Sequence, residues 1–398
     1  MIDLKNRKSI IYSILDNDLY KFTMQQAVLE LFPDAVVEYR FKNRGTHRFP
    51  PEFLSLLRAE IDKMADLRLT EREFDHLKTI PFFKPAYLAY LNNYQYDPSE
   101  VRLNRDENGD LEIRIVGKWH STILWEVPLM AIISELFFQK VDTEWDHNLD
   151  NAKKKAYDKG LRLADAGLSF ADFGTRRRRS LEVQMKVVEG LRDGAKEKFV
   201  GTSNLLLSML YGLRCIGTMA HEWSMGMSVL ESLRQANFYA LQNWVRVYNA
   251  DLGIALTDTY GLKAFLTNFN RRLTKLYDGV RHDSGDPFEF TERIMSHYRK
   301  YGVDPATKTI VFSDGLNTDS AIEIFKRFEN KIKMAFGIGT HFTNDFEGSP
   351  ALNMVIKLWS VFYVPVVKLS ETPGKVMGDP DAVRVAKWTF LNTPLDEK

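Results

Sequence analysis

From about Glu126 onward the chain repeats one pattern, a helical run followed by a short apolar segment ending in Gly, Thr, Ser or Asp. The helical runs lie at 126–139, 148–164 and 180–192. The apolar segments are SFADFGTRR at 169–177, KFVGTSN at 198–204, GIALTDTYG at 253–261, TIVFSDGLN at 309–317 and KIKMAFGIGT at 331–340, with the helix-like TDSAIEIFKRFEN between the last two. Strand, polar loop and helix in succession point to parallel β/α architecture. The expectation is an irregular, TIM-like α/β barrel over 126–350. In such a barrel the loops after the strands share one end, and that end carries the site.

The first 125 residues have a different texture. Residues 17–32, NDLYKFTMQQAVLELF, carry a helical stripe of Phe22, Ala27, Val28, Leu31 and Phe32, with Asn17 or Asp18 placed to cap it. Ala35–Gly45 alternates as a half-buried strand, with Val37, Tyr39 and Phe41 on one face and Glu38, Arg40 and Lys42 on the other. Residues 51–64 and 70–78 read as helices, the second opened by a Thr70–Glu73 capping box. A turn at Asn108-Gly109 joins VRLNR to LEIRIVGKW as a hairpin. An α+β domain over 1–125 is expected, and the C-terminal segment 351–398 is expected to return to it. In that segment WSVFYVPVVKLS and VRVAKWTFL read as two strands around a PGKVMGDP turn.

Composition narrows the function classes. With 398 residues, 44% hydrophobic and 12% aromatic, the chain can fill a large core. Its 54 basic and 53 acidic residues give a net charge of +1, so no global charge pulls it to nucleic acid or anionic membrane. Cys215 is the only cysteine; in LRCIG it reads as a core thiol rather than a nucleophile. The opening MIDLKNRKSI lacks the apolar stretch of a signal peptide. The most apolar run, Leu124–Phe138, is interrupted by Glu126, Pro128 and Glu135, so it reads as a core helix rather than a membrane span. A soluble, cytoplasmic protein is expected.

Chemistry concentrates in Tyr277–Phe288, YDGVRHDSGDPF. Asp278, Asp283 and Asp286 can accept hydrogen bonds from sugar hydroxyls or from water around a divalent cation. Arg281 offers a fork for phosphate or carboxylate, and Gly279 and Gly285 permit close backbone approach. Alone, such a stretch reads as a solvated Asp/Gly loop. Four arginines, Arg176–Arg179, follow Asp172-Phe173-Gly174 in a strand-end loop that opens a helix. Such a run is a solvated face, a nucleic-acid patch or an anion site. The DFG triplet has no kinase meaning without a glycine-rich loop and an HRD motif.

His221 in GTMAHEWSMGMS fails the HExxH zinc pattern, because Met225 holds the second histidine's place. It is either a structural histidine or a nucleophile or acid/base oriented by Glu222 or Asp258. Gly337-Ile338-Gly339-Thr340 follows a strand-like segment and could expose N–H groups to a phosphate; no Walker loop is present. Asp314-Gly315 would sit in the same ring of loops.

Taken together, NDLYKFTM, EYRFKNRG, DFGTRRRRS, FVGTSN, GTMAHEW, LTDTYG, VRHDSGDP, FSDGLNTD, FGIGT and KLSETPGKVMGD resemble, in order and separation, the nicotinate phosphoribosyltransferases. These belong to the type II phosphoribosyltransferases, with the nicotinamide and quinolinate enzymes. The resemblance runs from Asn17 to about Lys375. It implies transfer of ribosyl 5-phosphate from phosphoribosyl pyrophosphate (PRPP) to nicotinate, giving nicotinate mononucleotide and pyrophosphate, with ATP as co-substrate and Mg²⁺ held largely by substrate oxygens. It further implies that His221 is phosphorylated and oriented by Asp258. Arg281, Asp283, Ser284, Asp314 and Gly315 match positions around the ribose and pyrophosphate, and Gly337, Gly339 and Thr340 match the 5-phosphate loop.

Tyr20 and Phe173 match the aromatic pair that sandwiches the pyridine ring, beside Arg176, Thr202 and Ser203. Arg44 matches a basic residue given across a subunit interface, as Tyr20 is, so a homodimer with shared sites is implied. Nicotinamide-specific relatives carry an aspartate at the position of Ser203; a neutral serine there favours the acid. GTMAHEW argues against the shorter quinolinate branch, which lacks the phosphohistidine. The remaining alternatives are a nicotinamide enzyme and a non-catalytic phosphate-sensing protein on the same scaffold. No nucleic-acid or membrane partner is expected.

Overall fold

A computed structural model describes residues 8–372 and 374–391. Its contacts divide the chain into two compact units, Met1–Gly217 with Ile338–Lys357, and Thr218–Gly337 with Leu358–Lys398. The boundaries between these units fall at 217/218, 337/338 and 357/358. Of the segment 351–398, residues 351–357 group with the N-terminal unit and 358–398 with the other.

In the first unit β1 (Val36–Asn43), β2 (Val101–Arg105) and β3 (Leu111–Lys118) form an antiparallel sheet in the order β1-β3-β2. Tyr39 lies opposite Ile115 and Leu103 opposite Ile113. The alternation in β1 does its expected work: Val37, Tyr39 and Phe41 are buried and Lys42 is exposed. The Thr70 hydroxyl accepts from Glu73 N–H while the Glu73 carboxylate accepts from Thr70 N–H, completing the capping box. The helix Glu126–Lys140 is buried over all but its last two residues. Residues Trp119–Lys140 are apolar enough to cross a membrane by composition, but 94% of the apolar window is buried inside the protein, as befits a core helix. β4 (Phe170–Asp172) and β5 (Phe199–Thr202) pair in parallel, with Asp172 opposite Thr202.

The second unit holds a parallel sheet of β6 (Ile254–Leu256), β7 (Gly279–His282), β8 (Thr309–Phe312) and β9 (Lys333–Ile338). Helix Pro287–Lys300 joins β7 to β8, and helix Thr318–Phe328 joins β8 to β9. The Asp286 carboxylate caps the former by accepting from Phe288 and Glu289 N–H, and Asn317 caps the latter. The fold is mixed α/β with a parallel sheet.

One expectation is overturned. VRVAKWTFL is not a strand but most of the helix Pro380–Leu391. Pro380 suits the first helical position, and the Asp379 carboxylate accepts from Asp381 and Ala382 N–H. Ala386 and Phe390 are buried four residues apart while Val385 and Trp388 are exposed, a helical period rather than alternation.

Candidate active site

Two clusters form, one within each unit. In the second unit the register of the parallel strands aligns Leu256, Arg281 and Val311, so the residues just beyond each strand come out side by side. Thr257 Oγ1 donates to the Arg281 carbonyl at 2.8 Å and Ser313 N–H to the His282 carbonyl at 3.0 Å, which ties these loops together. β7 can pack this closely only because it starts with glycine: a Cβ on Gly279 would lie 1.9 Å from the Thr309 carbonyl oxygen.

The imidazole of His221 opens the helix His221–Met227 and is buried. Its Nε2 meets Asp258 Oδ1 at 2.8 Å. The other Asp258 oxygen accepts from Ser284 Oγ at 2.7 Å and faces Lys368 Nζ at 3.2 Å. Asp283 Oδ1 accepts from Ser313 Oγ at 2.8 Å, while its Oδ2 lies 3.5 Å from His221 Nε2 and 3.4 Å from Arg281. Arg281 also donates to the Met219 carbonyl at 3.2 Å. Of the two carboxylates considered for orienting His221, Asp258 makes the contact.

Electrostatics follow from burial. Removal from water, reinforced by the Lys368 ammonium, outweighs Asp258 and pushes the imidazole down to about 4. His221 is therefore neutral at neutral pH. Burial pushes Asp258 up, but His221 and Lys368 outweigh it and hold the carboxyl well below the usual range. Asp283 is brought to about 2, with Arg281 the leading influence against burial. A neutral histidine beside an ionised acceptor carries its proton on Nε2, leaving the Nδ1 lone pair as the nucleophile.

The ligand atoms of His221, Asp258 and Asp283 lie within 4.8 Å of one another, close enough to hold a metal ion. The donor set does not fit a resident one. Asp258 is taken by the imidazole, Ser284 and a lysine, and Arg281 faces Asp283. A site whose carboxylates are already matched by fixed cations gains little from a second positive charge.

A strap from the C-terminal segment reinforces this cluster. Glu371 N–H donates to Ser284 Oγ at 3.1 Å, and its carboxylate accepts from Leu262 N–H at 2.5 Å. Gly285 N–H donates to Thr372 Oγ1 at 3.2 Å, and Lys375 pairs with Asp314. Gly315, at a left-handed φ of 56°, has open space beside it. Asp286 serves the helix cap and Asp278 precedes β7, so of the three aspartates of YDGVRHDSGDPF only Asp283 reaches the histidine.

In the first unit the N-terminal segment is stitched to the loop after β5. Leu19 N–H donates to the Ser203 carbonyl at 2.8 Å and Leu205 N–H to the Asn17 carbonyl at 2.9 Å. Asp18 therefore does not cap its helix with its side chain; its carboxylate accepts from Ser203 Oγ at 2.8 Å. Burial raises the Asp18 pKa, opposed by Arg176. Tyr20 lies two residues on, half-buried. Asp172 accepts from Thr202 Oγ1 at 2.9 Å, Gln184 at 2.8 Å and Gly174 N–H at 2.8 Å, which fixes the loop carrying half-buried Phe173. A Cβ on Gly174 would meet Thr343 Oγ1 at 2.2 Å.

The arginine run divides by burial. Arg178 grips Asp16 with two bonds of 2.6 and 2.7 Å, and Arg179 bonds Asn344 and Ser349 under the Phe138 ring; both are fully buried. Arg177 donates to the Met354 carbonyl at 3.0 Å. Arg176 is 37% exposed and faces Glu126 at 3.6 Å. Arg44 lies past the end of β1, its N–H on the Asn353 carbonyl at 2.7 Å. Gly339 passes the Phe173 carbonyl, which a Cβ would approach to 3.2 Å, and Thr340 begins a single helical turn; Gly337 is buried within β9. Cys215 is the quiet thiol expected, pushed up to about 12 by burial.

Sequence reasoning assigned no role to Lys368, Ser313, Glu371, Lys21, Glu126 or Lys357. Lys368 and Glu371 lie in KLSETPGKVMGD, a stretch that signals its presence in the site but not which side chain turns inward.

A mixed α/β fold with a histidine–carboxylate pair at parallel strand ends, and with a cationic loop after β4, defines an enzyme of anionic substrates. Residues 168–394 match the model of the "Nicotinate phosphoribosyltransferase (NAPRTase) family", and residues 15–134 match that of its N-terminal domain. The chain belongs to the nicotinate phosphoribosyltransferase family. It is 51% identical to the nicotinate phosphoribosyltransferase of Methanosarcina acetivorans, over 98% of this chain and all of the relative. It is 46% identical to that of Chromohalobacter salexigens, over 94% and 97%. The crystal structure of nicotinate phosphoribosyltransferase from Porphyromonas gingivalis superposes with a TM-score of 0.93 at 41% identity, covering 96% of this chain and all of that one.

Proposed function

We propose that this chain transfers ribosyl 5-phosphate from PRPP to the ring nitrogen of nicotinate, driven by ATP through phosphorylation of His221. The relatives' names support the transfer. The observation that carries the ATP coupling is the His221–Asp258 contact of 2.8 Å on a neutral imidazole. In the phosphorylation step Nδ1 attacks the γ-phosphorus of ATP, the N–P bond forms and the P–O bond to ADP breaks. Nδ1 carries no proton to lose, and Asp258 keeps the proton on Nε2.

In the transfer step the C1–O bond to pyrophosphate breaks as C1 bonds to the nicotinate nitrogen. The oxocarbenium-like centre is served by positioning and charge, which we assign to Arg281, Asp283, Ser284, Asp314, Gly315 and the Gly337, Gly339, Thr340 turn. Mg²⁺ enters with the phosphates of PRPP and ATP. Phe173 and Tyr20 flank the pyridine ring, Thr202 and Ser203 line it, and Arg176 takes the carboxylate. Its neighbours support that choice, since Arg178 and Arg179 are committed to buried partners.

The strand–loop–helix repeat supports a barrel-like arrangement, and the roles given to Tyr20 and Arg44 would be met in a homodimer with shared sites; a cytoplasmic location belongs to the same reading. One observation favours a second reading, nicotinamide as the base: Asp18 places a carboxylate 2.8 Å from Ser203, where an amide –NH₂ could donate. The test is product formation from PRPP with nicotinate or nicotinamide, each with and without Mg·ATP. Nicotinate mononucleotide with ATP stimulation supports the proposal. Turnover of nicotinamide instead replaces the base, and turnover of neither leaves a phosphate-sensing protein.

A further inference from the structure

Within the first unit the turn Gly339–Asn344 lies against the loop that follows β4, and the side chains joining the two, Thr343 and Asn344, are buried. The turn is closed by its own main chain: Phe342 N–H donates to the Gly339 carbonyl and Asn344 N–H to the Thr340 carbonyl, each at 2.9 Å. Its last two residues then reach across. Thr343 Oγ1 donates to the Gly174 carbonyl at 2.9 Å, and the Thr343 carbonyl accepts from Arg179 N–H at 3.0 Å. Asn344 uses both ends of its amide. Nδ2 donates to the Arg177 carbonyl at 2.7 Å, and Oδ1 accepts from Arg179 Nε at 2.8 Å. A guanidinium only donates and a carbonyl only accepts, so a single orientation of this amide satisfies both partners. The hydroxyl and methyl of Thr343 also fill the space that a Cβ on Gly174 would need. Fully satisfied buried bonds of this kind leave the turn and the loop little freedom to shift separately.

We infer that Thr343 and Asn344 are positioning residues that clasp the turn at Thr340 to the loop carrying Phe173 and Arg176, so that filling one eases filling of the other. The inference rests on the proposed function, which gives the turn to the 5-phosphate and the loop to the pyridine ring. The clasp itself is independent of that assignment. A ligand that restrains the turn also restrains the loop through these bonds, and the second ligand then meets a partner already ordered. The effect is reciprocal: each ligand must tighten the other by the same factor.

The test is calorimetric titration of the intact protein with nicotinate and with ribose 5-phosphate, each alone and with the other at saturation. In the wild type each should tighten the other by roughly fivefold or more. Thr343→Val keeps the shape of the side chain but loses the donor to Gly174, whereas Thr343→Ser keeps the donor. Asn344→Leu removes both amide bonds. The factor should fall toward one in Thr343→Val and Asn344→Leu and persist in Thr343→Ser. Because the factor is a ratio of affinities, an overall weakening of either ligand does not imitate its loss. A wild-type factor of one with both ligands bound overturns the inference, as does a wild-type factor retained in Thr343→Val and Asn344→Leu. Should Asn344→Leu not fold, Thr343→Val decides alone. Wild-type protein that binds neither ligand overturns instead the proposed function, on which the assignment of turn and loop depends.

Discussion

The ammonium of Lys368 lies 3.2 Å from the Asp258 carboxylate, on the oxygen not used by His221. Asp258 therefore stays ionised without drawing a proton onto the imidazole, because the Lys368 ammonium matches its charge.

Replacing Lys368 by Met should raise the His221 pKa, since a neighbouring cation opposes protonation of the ring. The acid limb of ATP-dependent phosphorylation should then move up toward the ordinary histidine value, and Lys368→Arg should restore it. Radiolabel incorporation across pH 4.5–8 reads this. An unmoved limb would mean that burial alone sets the imidazole.

His221→Ala should keep basal transfer from PRPP and lose the stimulation by ATP. The measurement is ADP released per product formed; a variant that still hydrolyses ATP in step with product sinks the phosphohistidine assignment.

The same histidine makes stability depend on pH. Its folded pKa of about 4 lies below the unfolded value of about 6.5, so the unfolded chain binds the proton more readily. Stability is intact above pH 6.5 and is lost as pH falls toward 4, by roughly 3 kcal/mol at the end of that window. His221→Asn should flatten this loss; urea midpoints of the two proteins at pH 7 and 4.5 check it.

Within the arginine run the consequences should separate. Arg178→Met strands the buried Asp16 and should cost roughly 3–5 kcal/mol of stability. Arg176→Met should cost less than that, because Lys21 and Lys357 still match the buried Glu126, and should raise the nicotinate KM. Denaturation curves beside steady-state kinetics distinguish them.

Ser203→Asp would place a second carboxylate against Asp18. We expect nicotinate KM to rise by roughly tenfold, about 1.4 kcal/mol of repulsion. An unchanged KM would remove position 203 from base selection.

Some features of this protein are local, and the sequence held them outright. The alternation of β1, the Thr70–Glu73 box, the hairpin at Asn108-Gly109 and the short strands ending in polar loops each depend on neighbours within a few residues. The parallel pairing of β6, β7 and β8, between strands some 25 to 30 residues apart, then brings the residues after them out side by side and sets His221's partner Asp258 next to Asp283 and Ser284. The short apolar run at 383–391 suits either period, and only the burial of Ala386 and Phe390 selects the helix.

The tertiary structure alone decided the rest. Nothing in a run of four arginines says that Arg178 and Arg179 are buried and Arg176 is not. That follows from Asp16, 162 residues away, and from Ser349, 170 residues away. Likewise Lys368 reaches Asp258, and Lys21 and Lys357 reach Glu126, across long stretches of chain. Sequence spacing governs what touches along a helix or strand. Which charges share a desolvated site depends on how distant segments pack, and that packing sets the pKa of His221 and the charge around Arg176.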